Sequence, residues 1–253
     1  MISKGERLNK VAKVTLFFWL IKILATTLGE TLGDYISMTL DLGYTVGIAI
    51  TFSMFAVILT IQLISRRFIP SIYWAVIIAT TTLGTEISDF IDRTLKLGYF
   101  LGSALLAGCL ITALLLWFKR YKSTKVYPIV EFQKELYYWT AILFSNSLGT
   151  AFGDFLSDNL GMGYLTAAIV SGTIILVVVI LHYRTKLNPV FLFWLAFVFT
   201  RPFGATFGDF LTKPLAKGGL AIGTLPSSMV SAALLVLLIY IAYRAPRKRE
   251  LTL

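Results

Sequence analysis

Long apolar runs alternate with short polar breaks along the whole chain. Blocks such as "TVGIAITFSMFAVILTIQLIS" (45–65) carry no Asp, Glu, Lys or Arg. They lack the period-two alternation, in segments of about 10 residues, that a membrane barrel would show. They predict helices at 14–40, 44–65, 71–95, 99–118, 136–159, 163–182, 189–212 and 219–242. Most approach or exceed the roughly 20 residues that span a hydrocarbon slab. The expectation is an all-α integral membrane protein with eight transmembrane helices.

The polar positions inside these runs repeat. Gly29, Gly84, Gly149 and Gly204 fall in register, at spacings of 55, 65 and 55 residues. Asp34, Asp89, Asp154 and Asp209 then align, as do Trp19, Trp74, Trp139 and Trp194, so the unit reads W-x9-G-x4-D. Such periodicity marks an internal repeat. Each copy reads as a helical hairpin: a motif helix, a turn ("DLGY", "KLGY", "GMGY", "AKGG"), and a returning, mostly uncharged helix. The longest connection, near 119–134, separates a first half, 1–128, from a second, 129–253, within one membrane domain. Gly29/Gly33, Gly84/Ser88, Gly149/Gly153 and Gly204/Gly208 form small-xxx-small pairs, which let helices approach closely.

Composition sharpens this picture. The 253 residues are 57% hydrophobic and 14% charged, with a mean hydropathy of +0.79. A soluble domain is about one quarter charged. The net charge of +10 does not point to nucleic acid, because the basic residues sit in short clusters between apolar runs, where they set topology. Lys4, Arg7, Lys10 and Lys13, then "SRR" (65–67), "KRYKSTK" (119–125), "HYRTK" (182–186) and "RAPRKR" (244–249) all fall on one side. This places both termini in the cytoplasm of a multi-pass protein, with four parallel hairpins around a pseudo-symmetric polar interior. The basic start resembles a signal peptide, but no small-residue cleavage pattern follows, so the first run reads as a mature helix. Cys109 is the single cysteine, which leaves no disulfide or thiolate cage.

The candidate chemistry lies on the motif helices. At 100° per residue, the residues seven, four and three before each aspartate share its face. They are Thr27, Thr82, Ser147 and Pro202; Glu30, Thr85, Thr150 and Ala205; and Thr31, Glu86, Ala151 and Thr206. A stripe of hydroxyls and carboxylates belongs in a bundle interior or a wet cavity. Parallel repeats would gather Asp34, Asp89, Asp154, Asp209, Glu30 and Glu86 at one site. Crowded like charges must protonate, pair with a cation or bind metal. Oxygen ligands alone suit Mg, Ca, Mn or protons. The single histidine, His182, reads as interfacial. Arg201 stands where other repeats have Thr26, Thr81 and Asn146, and reads as an internal counter-ion; Lys22 reads as snorkelling to the cytoplasm. The tryptophans read either as an interfacial belt or as cation-π partners inside the bundle. The motif helix is longer than the slab requires, so it must tilt, protrude or break at its Gly-Asp segment.

With "LGETLGDYIS" and "LGTAFGDFLS", the fourfold Trp/Gly/Asp pattern resembles a bacterial family of membrane-anchored proteins built from several copies of a repeat of unknown function. The resemblance covers nearly the whole chain and implies a polytopic protein of a bacterial or archaeal plasma membrane; it supplies no substrate. Pro202 and Lys213-Pro214 depart from it in the fourth copy. The residues themselves suggest a transporter of a hard divalent cation such as Mn or Mg, or of a proton exchanged for one. Its metal ligands would be Asp34, Asp89, Asp154, Asp209, Glu30 and Glu86, supported by Thr27, Thr82, Ser147 and Arg201. The alternatives are an organic-cation transporter using the tryptophans, and a non-transporting scaffold or accessory subunit. No catalytic constellation, nucleotide motif or cofactor is expected. The expected partners are the bilayer and a small cation or proton; homo-oligomerisation stays open.

Overall fold

Eight long helices form where the apolar runs lie, and all regular structure among residues 8–244, which the computed structural model describes, is helical. They are α1 Leu16–Asp34, α2 Gly43–Ile64, α3 Pro70–Asp89, α4 Gly98–Tyr121, α5 Phe132–Asp154, α6 Tyr164–Arg184, α7 Pro189–Thr212 and α8 Thr224–Arg244. Six of them are long and apolar enough to cross a membrane: α1, α2, α4, α6, α7 and α8. α3 and α5 are the most polar of the predicted spans, with runs such as Thr80-Thr81-Thr82 and Ser145-Asn146-Ser147. Lys4, Arg7 and the basic tail from 245 onward lie outside the described residues.

Local chemistry fixes the helix starts. Thr15 caps α1, its hydroxyl accepting from Phe18 N at 3.3 Å. The Asn188 side chain accepts from Val190 N at 2.9 Å. Pro70 and Pro189 occupy first-turn positions, where no N–H is needed. The hairpin turns share one device. Gly43, Gly98, Gly163 and Gly218, fourteen residues after each motif glycine, all have φ between +71° and +81°, a region that favours glycine.

The motif helices do not break at the Gly-Asp segment. α1, α3 and α5 run unbroken to the aspartate and widen into one π-helical turn, Tyr35–Thr39, Phe90–Thr94 and Phe155–Asn159. The fourth copy stays α-helical to Thr212 and leaves it with Lys213 N bonded to Asp209 O at 2.8 Å. The reason is Pro214, which stands where the others have Thr39, Thr94 and Asn159. It has no N–H to offer a wider turn, and it drives Lys213 into extended backbone.

α1, α3, α5 and α7 pack in sequence and close on each other as α7 meets α1, forming an inner ring. The outer helices do not fold back on their own partners, as a simple hairpin would. α2 packs on α3, α4 on α5, α6 on α7, and α8 returns to α1. Each repeat therefore covers the next one around the ring.

The motif glycines explain the close inner ring. A Cβ on Gly29 would strike Thr81; on Gly84, Asn146 and Ser147; on Gly149, Arg201 and Pro202; and on Gly204, Thr26. Each glycine thus seats the residue that lies three before the motif glycine of the next repeat. The second small residue repeats the contact one turn on, with Gly33 on Thr85 and Gly208 on Glu30. The glycines are packing surfaces, as the small-xxx-small spacing predicts.

The tryptophans are not a lipid-facing belt. Trp74, Trp139 and Trp194 are buried, and Trp19 is half-buried against the same core. With the aromatic residue before each, they form a layer across one end of the ring. Phe18 meets Trp74 at 5.6 Å, Tyr73 meets Trp139 at 5.5 Å, and Phe193 meets Trp19 at 5.7 Å. The Tyr73 and Tyr138 hydroxyls bond at 2.5 Å. An apolar slab would leave such rings at the lipid boundary only if they faced outward; here the neighbouring inner helix covers them.

Candidate functional site

Three layers stack along the ring axis from the aromatic end, at i, i+4 and i+8. The first holds Thr26, Thr81, Asn146 and Arg201; the second Glu30, Thr85, Thr150 and Ala205; the third the four aspartates. All these side chains are buried. The inner helices run in parallel, so equal sequence positions reach equal depths.

The aspartates meet in two pairs, each held by a base four residues after one of them. Arg93 Nη2 lies 3.0 Å from Asp154 Oδ2, and its Nε lies 3.4 Å from Asp89 Oδ1. Its Nη1 donates to the Tyr44 hydroxyl at 3.1 Å. Lys213 Nζ lies 2.6 Å from Asp34 Oδ2 and 3.2 Å from Asp209 Oδ1. One turn deeper, Arg201 Nη2 donates to Glu30 Oε2 at 2.9 Å, to Thr85 Oγ1 and to Thr81 O, while its Nη1 reaches Thr26 O. Arg201 is thus the internal counter-ion its position suggests. Glu30, Asp34 and Asp209 each offer a carboxylate oxygen, all within 4.8 Å of one another. The arrangement can hold positive charge, and oxygen donors of this kind fit a hard divalent ion.

Other expected site residues lie elsewhere. Glu86 does not join the cluster: it packs against Gly47 of α2, and neither carboxylate oxygen has a hydrogen-bond partner among the described residues. Ser37 stands beside it, but that hydroxyl is given to Gly33 O at 3.0 Å. Thr82 and Ser147 donate back to Ile78 O and Leu143 O in their own helices. Thr27 Oγ1 has no partner among the described residues. Within the layers, the threonine hydroxyl that reaches a carboxylate is that of Thr85, 3.2 Å from Glu30 Oε2. Lys22 does not snorkel. It is fully buried, donates to Asn146 Oδ1 at 2.9 Å and lies 4.1 Å from the centre of the Phe197 ring.

A profile described as a repeat of unknown function matches the chain four times, at residues 17–68, 72–123, 137–188 and 192–248. The chain belongs to the DUF347 family. No curated protein and no solved structure matches it.

Each DUF347 copy takes in one inner helix and the outer helix after it, so sequence unit and packing unit are offset by one helix. Within the copies, the position four after the aspartate reads Met38, Arg93, Asp158 and Lys213. A base thus occurs in alternate copies, and each base reaches forward to the aspartate of the next. Fourfold packing carries a twofold charge pattern. Arg93 and Lys213 escaped sequence reasoning because they stand among mixed charges near the turns; their i+4 spacing from an aspartate was the available sign. A second exchange in copy two is internally matched. Ser37, Ser157 and Thr212 bond back to Gly33, Gly153 and Gly208 carbonyls. In copy two Ser88 takes the glycine position and Asp92 the hydroxyl position, with Ser88 Oγ 3.5 Å from Asp92 Oδ2.

Proposed function

We propose that this DUF347 protein crosses a prokaryotic plasma membrane eight times, with both termini inside, and carries a hard divalent cation such as Mn or Mg. The observation that supports it is the cluster of Glu30, Asp34 and Asp209 around the Lys213 ammonium. Lys213 acts as a resident cation. Its single positive charge offsets one of the two negative charges of Asp34 and Asp209 when no ion is bound, which reduces the several kcal/mol that an unpaired buried charge costs.

The two aspartate pairs then differ in role. Arg93 spreads a rigid guanidinium over Asp89, Asp154 and Tyr44 and serves as a fixed clamp. Lys213 sits in extended backbone just past the end of α7 and holds its carboxylates through one ammonium on a flexible stem, so it can withdraw toward solvent when a metal takes its place. Asp34 and Asp209 would be ligands with Glu30, and Arg201, bonded to Glu30, would set how much negative charge that group offers. Exchange of the ammonium for a divalent ion takes the Asp34 and Asp209 pair from one net negative charge to none, within the range a carrier in low dielectric requires.

The test is Mn binding and flux. Asp34→Asn and Asp209→Asn should each remove Mn binding by the purified protein and Mn flux in proteoliposomes, while Asp89→Asn should retain measurable binding. Unaltered flux in both of the first two variants refutes the mechanism. A second reading, a non-transporting scaffold held by its polar axis, is favoured by the multiple partners of Arg93 and Arg201. It predicts that all three variants lose stability and that none changes a metal response.

A further inference from the structure

α4 and α5 leave a groove between them on the outside of the bundle. Ala104, Gly108, Thr112 and Leu116 line it from α4, Thr140 and Phe144 from α5, and it holds about 550 Å³. Past Leu116 and Thr140 it continues into a second hollow of about 350 Å³, which reaches Gln133 and Tyr137 near the start of α5. The groove is open because its α4 wall is small: a Cβ added to Gly108 would meet nothing within 4 Å. The hydroxyl on that wall is already satisfied, since Thr112 donates to Gly108 O at 2.7 Å. Such a wall offers a guest contact and asks for no hydrogen bond, which suits a hydrocarbon chain.

Length and charge say which guest. From Leu116 to Ala104 the groove runs about 18 Å along α4, at 1.5 Å per residue. That is a little over half of a hydrocarbon core about 30 Å thick, the depth of one leaflet. One end of the groove is basic. Lys119 and Arg120 are exposed, three and four residues past Leu116 and so on its face of the helix. Across from them Lys134, next to Gln133, donates to Pro128 O at 3.4 Å. Residues 119–134 carry five bases, Lys119, Arg120, Lys122, Lys125 and Lys134, against one acid, Glu131. Beside them Tyr137 meets Tyr121 edge-on at 6.1 Å, amphipathic rings of the kind that sit at headgroup level. Topology alone accounts for a basic connection; it does not account for a groove that opens into one. A second copy of the chain is a poor occupant, because a twofold contact presents the same patch from both sides and would set the two basic connections against each other.

We infer that this groove binds an anionic phospholipid of the leaflet at the aromatic end. One acyl chain lies between α4 and α5, and the phosphate faces Lys119, Arg120 and Lys134, as basic pockets between membrane helices do. The inference rests on the membrane-spanning part of the reading above and not on its cation. α4 closes the first half of the chain and α5 opens the second, so the lipid braces the junction of the two halves.

The test is native mass spectrometry of the full-length protein released from micelles containing phosphatidylglycerol or phosphatidylcholine, with glycerol phosphate as a headgroup that has no chains. The wild type should retain one phosphatidylglycerol, at least about tenfold more tightly than phosphatidylcholine, as two or three interfacial bases predict. Lys119→Gln combined with Arg120→Gln should remove that preference. Gly108→Leu fills the groove and leaves every charge in place; it should weaken retention about tenfold by displacing a few buried methylenes. If Gly108→Leu does not fold, Ala104→Leu fills the groove from its far end and decides instead. Equal retention of the two lipids by the wild type, unchanged retention in the groove variant, or equally tight binding of glycerol phosphate overturns the assignment. So does a dimer that the groove variant dissociates, which would give the groove to a second copy. A wild type that stays in solution without detergent and retains neither lipid removes the membrane reading, and the lipid site with it.

Discussion

Replacing Gly29 with alanine adds a single methyl at the tightest contact of the inner ring. That carbon would overlap the Thr81 side chain and come within 3.0 Å of the Thr81 backbone carbonyl carbon. A flexible side-chain tip could turn aside; a β-branched residue and its backbone cannot. Overpacking of this kind costs about 1–3 kcal/mol, against which alanine in a helix recovers up to about 1 kcal/mol over glycine. The closed ring places the result near the upper end, because α3 cannot move from α1 without also moving on α5. A net loss of about 2 kcal/mol is expected. The protein supplies its own controls. Gly153→Ala meets Ala205 Cβ at 3.4 Å, an ordinary contact, and Gly108→Ala meets nothing within 4 Å. Gly153→Ala should be near neutral, and Gly108→Ala should gain the propensity term alone. Thermal unfolding in detergent, followed by tryptophan fluorescence, reads all three, and Gly29→Ala combined with Thr81→Gly should restore much of the loss. Gly29→Ala as stable as Gly108→Ala would refute the account of ring closure.

Arg201→Met should cost about 3–5 kcal/mol, because it leaves Glu30 buried and unpaired; adding Glu30→Gln should recover most of this in the same unfolding assay. Lys213→Ala should tighten Mn binding at least about tenfold, since a unit charge about 5 Å from a divalent ion acts with several kcal/mol at an effective dielectric near 20; unchanged or weaker binding in calorimetry would count against a resident cation. Trp74→Ala should lose about 3–5 kcal/mol as a large buried ring is removed, whereas a lipid-facing tryptophan would lose little. Thr82→Ala and Ser147→Ala should leave Mn binding unchanged, because both hydroxyls are committed to their own helices.

Much of this architecture is legible in the chain because it is written four times. The register of Trp, Gly and Asp gives the helix count, the parallel sense and the buried polar face. The glycines announce close packing. What the register could not convey is which helix each outer helix covers, since hairpin and handover share one pattern. The fate of the charges was also hidden. Arg93 and Lys213 sit at the helix ends, where charge is cheap, and only the fold shows them turned inward. Lys22 looked long enough to snorkel; the aromatic layer beneath it closes that route. Glu86 shares the expected face on a helical wheel, yet it lies to one side of the axis, where Gly47 leaves room for a carboxylate.

The handover of outer helices has a consequence for how the protein is made. As the chain leaves the ribosome, each inner helix is covered by the outer helix that precedes it, except α1. α1 has its cover in α8, which emerges only after the six helices between them. Until α8 has emerged, the flank of α1 bearing Thr31, whose hydroxyl accepts from Ser228 at 2.8 Å, must wait uncovered or be shielded by another protein. Covering of α1 therefore waits for α8, and chains that stop before α8 should be recognised as unfinished and degraded.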